Sequence, residues 1–330
     1  MKTLITLLLL AILAAGGWLA WAVLLPVQPA SQTFVMLRPG YSTRRIASEL
    51  KSAGVIRSAD AFVLWHYLHH RRSLKAGEYL FDKAEDARVV HDRLARGDIY
   101  IHTVVIPEGY NMFDVAQAMQ DAGLGTREEF LAVAQRDTSL IADLAPQAKS
   151  LEGYLFPNTY EFTRTQTMAE MAAAMVKQFR QVAQELGLNV DTQQDIQKTV
   201  TMASIIEKET AAPDERPLVA SVYYNRLGEG IALQADPSVI YGELLQGTYS
   251  GALHHEDMQV NSAYNTYRHP GLPPGPIANP GKSALEAAMH PATTDYFYFV
   301  ADGSGHHRFA HSLEEHNRNV AKYRKMVLAR

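Results

Sequence analysis

The sequence predicts an α+β protein with an amino-terminal transmembrane helix, a small mixed domain of strand-helix units and a helix-rich part that ends in a β-hairpin. Three observations support this fold class. An uninterrupted apolar stretch opens the chain, a strand-turn-helix pattern occurs twice before residue 125, and helical periodicity dominates from residue 168 onward. The predicted boundaries are 1–32 for the cytoplasmic start, anchor and linker, 33–99 for the first domain, 100–165 for a second strand-helix unit with its connector, and 166–330 for the last domain.

The amino-terminal stretch from Leu4 to Leu25 contains no charged residue. A helix of this length can cross the roughly 30 Å apolar core of a bilayer. Trp18 and Trp21 near its far end carry side chains that favour the membrane interface, and Lys2 precedes the stretch. The positive-inside rule then predicts a single pass through the inner (cytoplasmic) membrane with the body outside the cytoplasm. A signal peptide cleaved near Ala20–Ala22 is the alternative, and it also exports the body.

Composition excludes several classes of protein and site. The net charge of the 330 residues is −4 and no long basic run occurs, which argues against a nucleic-acid partner. The absence of cysteine excludes disulfide bonds and thiolate metal sites. His290 and the pair His306–His307 do not have the spacing of a common zinc motif. The sequence therefore predicts no metal site and no cofactor.

The first half of the chain repeats a small strand-helix unit. Residues Phe34–Leu37 predict a strand, Pro39–Gly40 a turn, and Ser42 the cap of a following helix. The same order returns with a strand at Val104–Ile106 and a turn at Pro107–Gly109. Between the two copies the pattern predicts a helix at 59–69, a strand at 77–81 and a short helix at 89–94. Two such units are typical of an adapter and not of a catalytic centre.

Helical spacing dominates the last part of the chain. It covers residues 168–186, 196–209, 213–227 and 283–289. Residues 228–280 are rich in Gly, Pro, Asn and Tyr with weak periodicity, which predicts ordered functional loops. An aromatic strand at Tyr296–Ala301 before the turn residues Asp302–Gly305 predicts the hairpin. Ser312 and Glu315 form a capping-box pattern that opens the last helix.

One glutamate of the segment SIIEKET is a candidate general acid. A helix turns about 100° per residue, so Glu209 lies on the apolar stripe of Met202 and Ile205, whereas Glu207 lies about 200° away. Glu209 also precedes a helix break at Ala211–Pro213, so its side chain can face a cleft. Apolar surroundings disfavour the ionised carboxyl group and raise its pKa, which suits an acid catalyst. A solvated Glu-Lys-Glu surface run is the alternative.

The end of the helix predicted at 213–227 and the loops that follow it carry candidate binding residues. These are Asn225, Arg226, Gln234, Asp236, Tyr264, Asn265, Thr266 and Tyr267. Aromatic rings stack on the apolar faces of sugars, and amides bond hydroxyl and acetamido groups in fixed directions. The composition therefore suits a carbohydrate groove. A structural loop with buried polar side chains is the alternative, and Asp236 in particular could cap a helix before Pro237.

Several long segments carry a specific resemblance. The chain contains, in this order, SIIEKET, VYYNRL, LQADPSVIYG, AYNTYRHPGLPPGPIANPG and YFYFVADG. Together they resemble the YceG-like family of endolytic murein transglycosylases, over essentially the whole chain. The resemblance implies a LysM-like domain at 33–99 and a catalytic domain at 166–330. It also implies that Glu209 is catalytic, and that the β-1,4 bond after N-acetylmuramic acid is cut within glycan strands to leave 1,6-anhydro ends.

Transglycosylation agrees with a single prominent acid. Neutral Glu209 would protonate the glycosidic oxygen and then accept the proton of the muramic C6 hydroxyl, which attacks C1 of its own ring. An intramolecular nucleophile makes a second carboxylate unnecessary. Three alternatives remain: a lysozyme-like hydrolase that pairs Glu209 with Asp236, a non-catalytic peptidoglycan-binding scaffold, and an adapter of the cell-wall synthesis machinery. The expected partners are glycan strands, the inner membrane and, by family analogy, peptidoglycan synthases whose nascent strands would be terminated or released.

Overall fold

The computed structural model describes residues 2–69, 73–188 and 195–328. Within these ranges the chain forms twelve α-helices and six short β-strands. The helices are α1 (Lys2–Leu24), α2 (Thr43–Ser52), α3 (Ala59–Leu68), α4 (Ala87–Arg96), α5 (Met112–Asp121), α6 (Arg127–Arg136), α7 (Met168–Glu185), α8 (Ile196–Glu209), α9 (Arg216–Gly228), α10 (Asp236–Gln246), α11 (Lys282–Met289) and α12 (Leu313–Leu328). The strands are β1 (Thr33–Leu37), β2 (Gly77–Phe81), β3 (His102–Ile106), β4 (Asn158–Phe162), β5 (Tyr298–Ala301) and β6 (His307–Ala310). The predicted α+β class is confirmed.

The chain divides into two compact units. The amino-terminal unit comprises Met1–Thr103 with Glu161–Thr167, and the carboxy-terminal unit comprises Val104–Tyr160 with Met168–Arg330. The strands pair two by two, as β1 with β2, β3 with β4, and β5 with β6. The narrower domain limits and the LysM-like assignment stay predictions.

Helix α1 is long and apolar enough to cross a membrane, with a mean hydropathy of 2.3 over 18 residues. Most of its side chains are exposed, and only Ala22 and Val23 at its end are buried. The predicted apolar helix is therefore present, and its composition is compatible with a membrane anchor or a signal sequence.

The amino-terminal unit has the predicted strand-turn-helix order. Strands β1 and β2 pair antiparallel, with Thr33 opposite Phe81 and Leu37 opposite Gly77. The Ser42 side chain caps α2 by accepting a hydrogen bond from the Arg45 amide at 3.3 Å. The core is formed by fully buried apolar side chains from both strands and the helices α2, α3 and α4: Leu37, Ala47, Leu50, Phe62, Tyr79, Val90 and Leu94.

In the carboxy-terminal unit, α8 is the central element. Helices α9, α10 and α11 pack against it. Its apolar stripe of Met202, Ile205 and Ile206 is fully buried, as the helical spacing predicts. Strands β5 and β6 pair antiparallel, with Tyr298 opposite Ala310, and α12 packs against both. The end of α8 therefore lies among well-packed elements that can hold a side chain in place.

The segment predicted as loops, residues 228–280, contains a helix. The prediction of a continuous loop region is wrong at α10. This helix has Pro237 in its first turn, and Gly247 in the left-handed conformation (φ 71°) caps its carboxyl end. Its Val239 and Tyr241 are buried, so tertiary packing stabilises a helix with weak periodicity. Helix α9 also starts at Arg216 and not at Pro213.

A buried asparagine fastens the Pro- and Gly-rich loop before α11. The Oδ1 atom of Asn279 accepts hydrogen bonds from the amides of Gly153 and Leu155, both at 2.9 Å. Its Nδ2 group donates to the Tyr110 carbonyl at 2.8 Å and to Glu152 at 3.2 Å. One fully buried side chain thus joins three chain segments, which gives the ANPG sequence a structural role.

Substitution Asn279→Ala is expected to destabilise the protein by about 3 kcal/mol or more, because buried donors and acceptors lose their partners at about 1–3 kcal/mol each. Thermal unfolding of the purified chain measures this change. The matched control Asn261→Ala alters an exposed residue and should stay within about 0.5 kcal/mol of the parent. Equal unfolding temperatures for the two variants would contradict the role given to Asn279.

Candidate active site

A cavity of about 250 Å³ lies at the carboxyl end of α8 in the carboxy-terminal unit. Helices α8, α9, α10 and α12, strand β5 and two loops contribute to it. Its lining residues are Glu209, Tyr223, Arg226, Leu233, Gln234, Asp236, Tyr267, Phe299 and His316. Carboxyl, amide, guanidinium and phenol groups thus meet in one small space, which is the type of lining that binds and orients a polar ligand.

Glu209 is the last residue of α8 and faces this cavity. Burial of the carboxyl group raises its pKa to about 7. The negative charge of Asp236 raises the pKa further, while a hydrogen bond with Tyr223 and the positive charge of Arg226 act in the opposite direction. A carboxyl group with this pKa can hold its proton near neutral pH and release it during a reaction.

Glu207 has a different environment from Glu209, although only one residue separates them. Its carboxylate accepts a hydrogen bond from Arg216 at 2.7 Å and one from the amide of Gly281 at 3.0 Å. Burial raises its pKa as well. Both of its oxygens are thus engaged in holding α9 and the loop before α11. The two glutamates lie on separate faces of α8, and neither is a solvated surface group.

Glu152 is a third buried acid, with its pKa raised to about 8 by burial. It accepts hydrogen bonds from the Met112 amide at 2.9 Å, from Asn279 and from Tyr241. It lines none of the cavities described here and is almost completely inaccessible to solvent. Glu152 therefore belongs to the core, and Glu209 is the high-pKa acid that a ligand can reach.

A larger cavity of about 700 Å³ lies elsewhere in the same unit, beside the start of α8. Its walls are mainly apolar, with Pro273 and Pro274 on one side. Its acid, Asp195, caps α8 and has a lowered pKa despite partial burial, because Lys198 and backbone amides donate hydrogen bonds to it. Size alone favours this cavity, but the chemistry of the lining residues favours the one around Glu209.

Arg226 braces the wall of the smaller cavity. Its Nε donates to the Phe297 carbonyl at 2.7 Å, and its Nη1 donates to the Leu233 carbonyl at 2.9 Å. The guanidinium group also lies 5.0 Å from the ring centroid of Tyr298. The side chain is nearly buried, so these contacts replace water around the cation. Arg226 thereby joins α9 to the strand β5 and to the loop that carries Gln234.

Gln234 has a strained backbone at the cavity. Its φ of 55° is the one positive value among non-glycine residues in the described part of the chain. Such a conformation costs on the order of 1–3 kcal/mol and persists only where neighbours enforce it. The Gln234 amide donates to the Thr266 carbonyl at 3.2 Å, and the Ala235 amide donates to the Thr266 hydroxyl at 2.9 Å. Thr266 thus fixes the loop that directs Gln234 to the cavity.

Asp236 and Tyr267 form a pair on the same wall. The Tyr267 hydroxyl donates a hydrogen bond to Asp236 Oδ1 at 2.5 Å. Burial and the neighbouring carboxylate raise the pKa of Tyr267, so it stays a neutral donor. Asp236 is the first residue of α10 and not its cap, because Ala235 occupies the N-cap position.

The structure brings five of the nine residues that the sequence singles out to one cavity: Glu209, Arg226, Gln234, Asp236 and Tyr267. The other four do not line it. Asn225 donates to the carbonyls of Thr294 and Tyr296, and Asn265 donates to those of Met258 and Val260. Tyr264 packs edge-on against Tyr241. Thr266 fixes the loop that carries Gln234. These four side chains contact other protein groups, and their role in substrate binding stays a prediction.

Four further residues that the sequence does not single out line the cavity: Tyr223, Leu233, Phe299 and His316. Tyr223 lies three residues before Arg226 on the same helix, so helical spacing could have placed both on one face. Phe299 and His316 reach the cavity only through tertiary packing. The histidine pair His306–His307 lies outside the cavity, where both side chains contact Glu215.

Comparison with known sequences identifies the family of the chain. The sequence profile of the YceG-like family matches residues 35–322. The chain belongs to the YceG-like family. The endolytic murein transglycosylase of Bacillus subtilis strain 168 is 34% identical over 317 residues, which cover 90% of this chain and 87% of that protein. The endolytic murein transglycosylase of Streptococcus pneumoniae strain D39 is 31% identical over an alignment of 355 positions, which covers 96% of this chain and 64% of that protein.

A solved structure shows the same fold. A crystal structure of a yceG-like protein from Listeria monocytogenes matches with a TM-score of 0.60 at 32% identity. The match covers 87% of this chain and 98% of that one. The family resemblance that the sequence motifs indicate is therefore confirmed, and the cavity around Glu209 is a feature of a YceG-like protein.

Substitution Glu209→Gln in this YceG-like protein is expected to stabilise it at pH 8 but hardly at pH 5. The pKa is about 7 when folded against 4.5 for an ordinary glutamate, so ionisation destabilises the native state as pH rises through this interval. The substitution removes a penalty of about 3 kcal/mol at pH 8. Denaturant unfolding at both pH values measures it.

The control for this experiment is Glu229→Gln, which alters an exposed glutamate just after α9. Its stability difference from the parent should be the same at pH 5 and pH 8. A Glu209→Gln variant with an equally pH-independent effect would show that Glu209 titrates as a solvated group.

Proposed function

We propose that this protein is an endolytic lytic transglycosylase that cuts peptidoglycan glycan strands with Glu209 as its acid. One observation carries the proposal: the pKa of this carboxyl group is raised to about 7 in a cavity that a ligand can enter. The names of the family relatives, endolytic murein transglycosylases, support the same activity. The bond we propose to be cut is the β-1,4 linkage after N-acetylmuramic acid.

The reaction needs one proton carrier. Neutral Glu209 donates its proton to the glycosidic oxygen as the bond to C1 breaks, and an oxocarbenium-like centre develops on the muramic ring. The Glu209 carboxylate then accepts the proton of the C6 hydroxyl, whose oxygen bonds to C1 and closes the 1,6-anhydro ring. The cycle ends with Glu209 protonated again, and no water is consumed. Proximity of C6 and C1 in one ring replaces an external nucleophile.

The other lining residues have roles that follow from their contacts. Tyr223 orients the Glu209 carboxyl group through its hydrogen bond. Gln234 offers a side-chain amide that can bond hydroxyl or acetamido groups. Thr266 fixes its backbone, and Arg226 Nη1 donates to its Oε1 at 3.5 Å. The ring of Phe299 offers an apolar surface for a sugar face. Arg226 is a positioning residue, because its Nε and Nη1 groups donate to backbone carbonyls of the cavity wall.

A lysozyme-like hydrolase is the second candidate, and Asp236 favours it. The Asp236 carboxylate lines the same cavity as Glu209 and is close enough to raise the pKa of Glu209. A hydrolase would use it as the second group of a carboxylate pair. However, Asp236 Oδ1 accepts a short hydrogen bond from Tyr267, which engages one of its two oxygens. We therefore assign it to tuning Glu209 and binding substrate.

The amino-terminal helix sets the proposed location. We propose that α1 is retained as a single-pass anchor in the inner membrane, with the amino terminus in the cytoplasm and both units outside. Peptidoglycan is assembled on that side. An anchored endolytic enzyme would meet strands as they emerge from membrane synthases, so strand termination or release with synthases as partners is the proposed role.

Substitution Glu209→Gln is expected to lower the rate of glycan cleavage by at least about 100-fold, because general acid catalysis contributes 10²–10⁴-fold. Purified peptidoglycan is digested, and the products are identified by mass spectrometry. The parent should yield 1,6-anhydro-muramic ends. Reducing ends would instead identify a hydrolase. Glu229→Gln is the matched control and should keep the parent rate.

Full cleavage activity in a folded Glu209→Gln protein would reject the assignment of the acid. Complete absence of cleavage in the parent, combined with retained binding to glycan strands, would favour a non-catalytic scaffold.

The activity of the parent is expected to fall as pH rises through about 7, because Glu209 must be protonated to donate. Substitution Asp236→Asn removes a negative charge that raises this pKa. The decline of the cleavage rate should therefore move to lower pH by up to about one unit. Asparagine keeps an oxygen that can accept the Tyr267 hydrogen bond. Rates of cleavage from pH 5 to pH 9 measure the shift. If the variant is slower but its activity declines over the same pH range as that of the parent, Asp236 acts only on substrate.

A further inference from the structure

Helix α3 of the amino-terminal unit has two apolar faces. Its inner face contributes Ala61 and Phe62, which are fully buried. On another face, Leu64 is 43% exposed, Tyr67 53% and Leu68 61%. These three residues have i, i+3 and i+4 spacing and form one stripe along the helix. The outer side of a helix that faces water is normally polar, so this stripe indicates a second apolar environment.

The stripe belongs to the helix that packs against the end of α1. Ala22 and Val23 of α1 lie in the same hydrophobic cluster as Phe62, and α1 and α3 are in contact. Arg57, two residues before α3, places its guanidinium group 5.3 Å from the ring centroid of Trp21 and donates to the Pro26 carbonyl at 2.8 Å. The start of α3 is thereby fastened to the point where α1 ends.

The length of α1 places this point at the membrane surface. The residues from Lys2 to Trp21 form about 30 Å of helix, which is the thickness of the apolar core of a bilayer. Trp18 and Trp21 are both exposed and have the side chains typical of the interface. Helix α3 is ten residues long, so its stripe lies within about 15 Å of this level.

Backbone hydrogen bonds also fix the segment that connects α1 to the rest of the amino-terminal unit. Val27 and Glu85 form an antiparallel bridge, with amide-to-carbonyl distances of 2.9 and 3.2 Å. Together with the Arg57 contacts, this bridge prevents α1 from acting as a free tether. The amino-terminal unit therefore keeps a fixed orientation relative to α1, and α3 begins beside the end of α1.

We propose that the outer face of α3, formed by Leu64, Tyr67 and Leu68, inserts into the interfacial layer of the same membrane. The occupant of this face is lipid and not another protein. The proposal rests on the retention of α1 as an anchor and is independent of the chemistry at Glu209. It adds a second membrane contact, which orients the amino-terminal unit and restricts its distance from the bilayer.

Single-cysteine labelling tests this contact directly, because the natural chain contains no cysteine. The full-length variants Leu64→Cys and Leu68→Cys each carry an environment-sensitive fluorophore. The matched control is Ser48→Cys, which labels an exposed position on α2 of the same unit. All three proteins are reconstituted in phosphatidylethanolamine–phosphatidylglycerol vesicles that contain brominated or nitroxide lipids.

The labels at positions 64 and 68 should show blue-shifted emission and several-fold stronger quenching by the modified lipids than the label at position 48. Equal quenching at all three positions, in protein that still floats with the vesicles, would overturn the contact of α3 with lipid. Failure of the unlabelled parent to float would instead reject the anchor and, with it, this inference. Cleavage activity is measured separately and decides neither outcome.

A second measurement separates membrane contact from loss of folding. The double variant Leu64→Gln with Leu68→Gln changes two exposed residues and should keep the unfolding temperature of the parent. In vesicles, a label at Tyr67→Cys should be quenched strongly in the parent background and several-fold less in this double variant. Unchanged quenching at position 67 would show that the stripe does not set the depth of α3.

Discussion

The withdrawal of one carboxyl group from water governs the chemistry of the carboxy-terminal unit. Glu209 ends a helix whose apolar stripe is fully buried, so the backbone carries it into the interior while the cavity keeps it reachable. A buried acid either finds a cation or keeps its proton. The nearby cation, Arg226, is already bonded to the carbonyls of Phe297 and Leu233. Glu209 is left with a hydrogen bond from Tyr223, and the raised pKa follows.

The contrast with Glu207 shows how environment separates two similar residues. Glu207 has Arg216 and the Gly281 amide as partners, so its charge is compensated and both oxygens are engaged. Removal of Arg216 would leave the buried Glu207 carboxylate without its counter-charge. Glu207 thus stabilises the packing of α8, α9 and α11 that keeps Glu209 in position. One glutamate supports the fold, and the other is left available for a ligand.

The sequence predicts the parts of the structure that depend on local periodicity and on local capping residues. The apolar stripe of α8 identifies the face of Glu209, and the cap at Ser42 and the strand-turn-helix order of the amino-terminal unit are equally local. Helix α10 was missed because its stability comes from buried Val239 and Tyr241 and not from a strong pattern. Tertiary packing also decides that Gln234 lines the cavity whereas Asn265 bonds to backbone carbonyls. The sequence does not distinguish the two residues, because a loop amide looks the same in either environment.

The pKa of Glu209 itself is the most direct test of the central claim. Protein labelled with ¹³C at the glutamate side-chain carboxyl carbon is titrated by NMR, and the Glu209 resonance is assigned by its absence in Glu209→Gln. The structure predicts a titration midpoint near 7, from burial beside Asp236. A midpoint near 4.5, the value of an ordinary glutamate, would show that the group is solvated and would contradict its role as the proton donor.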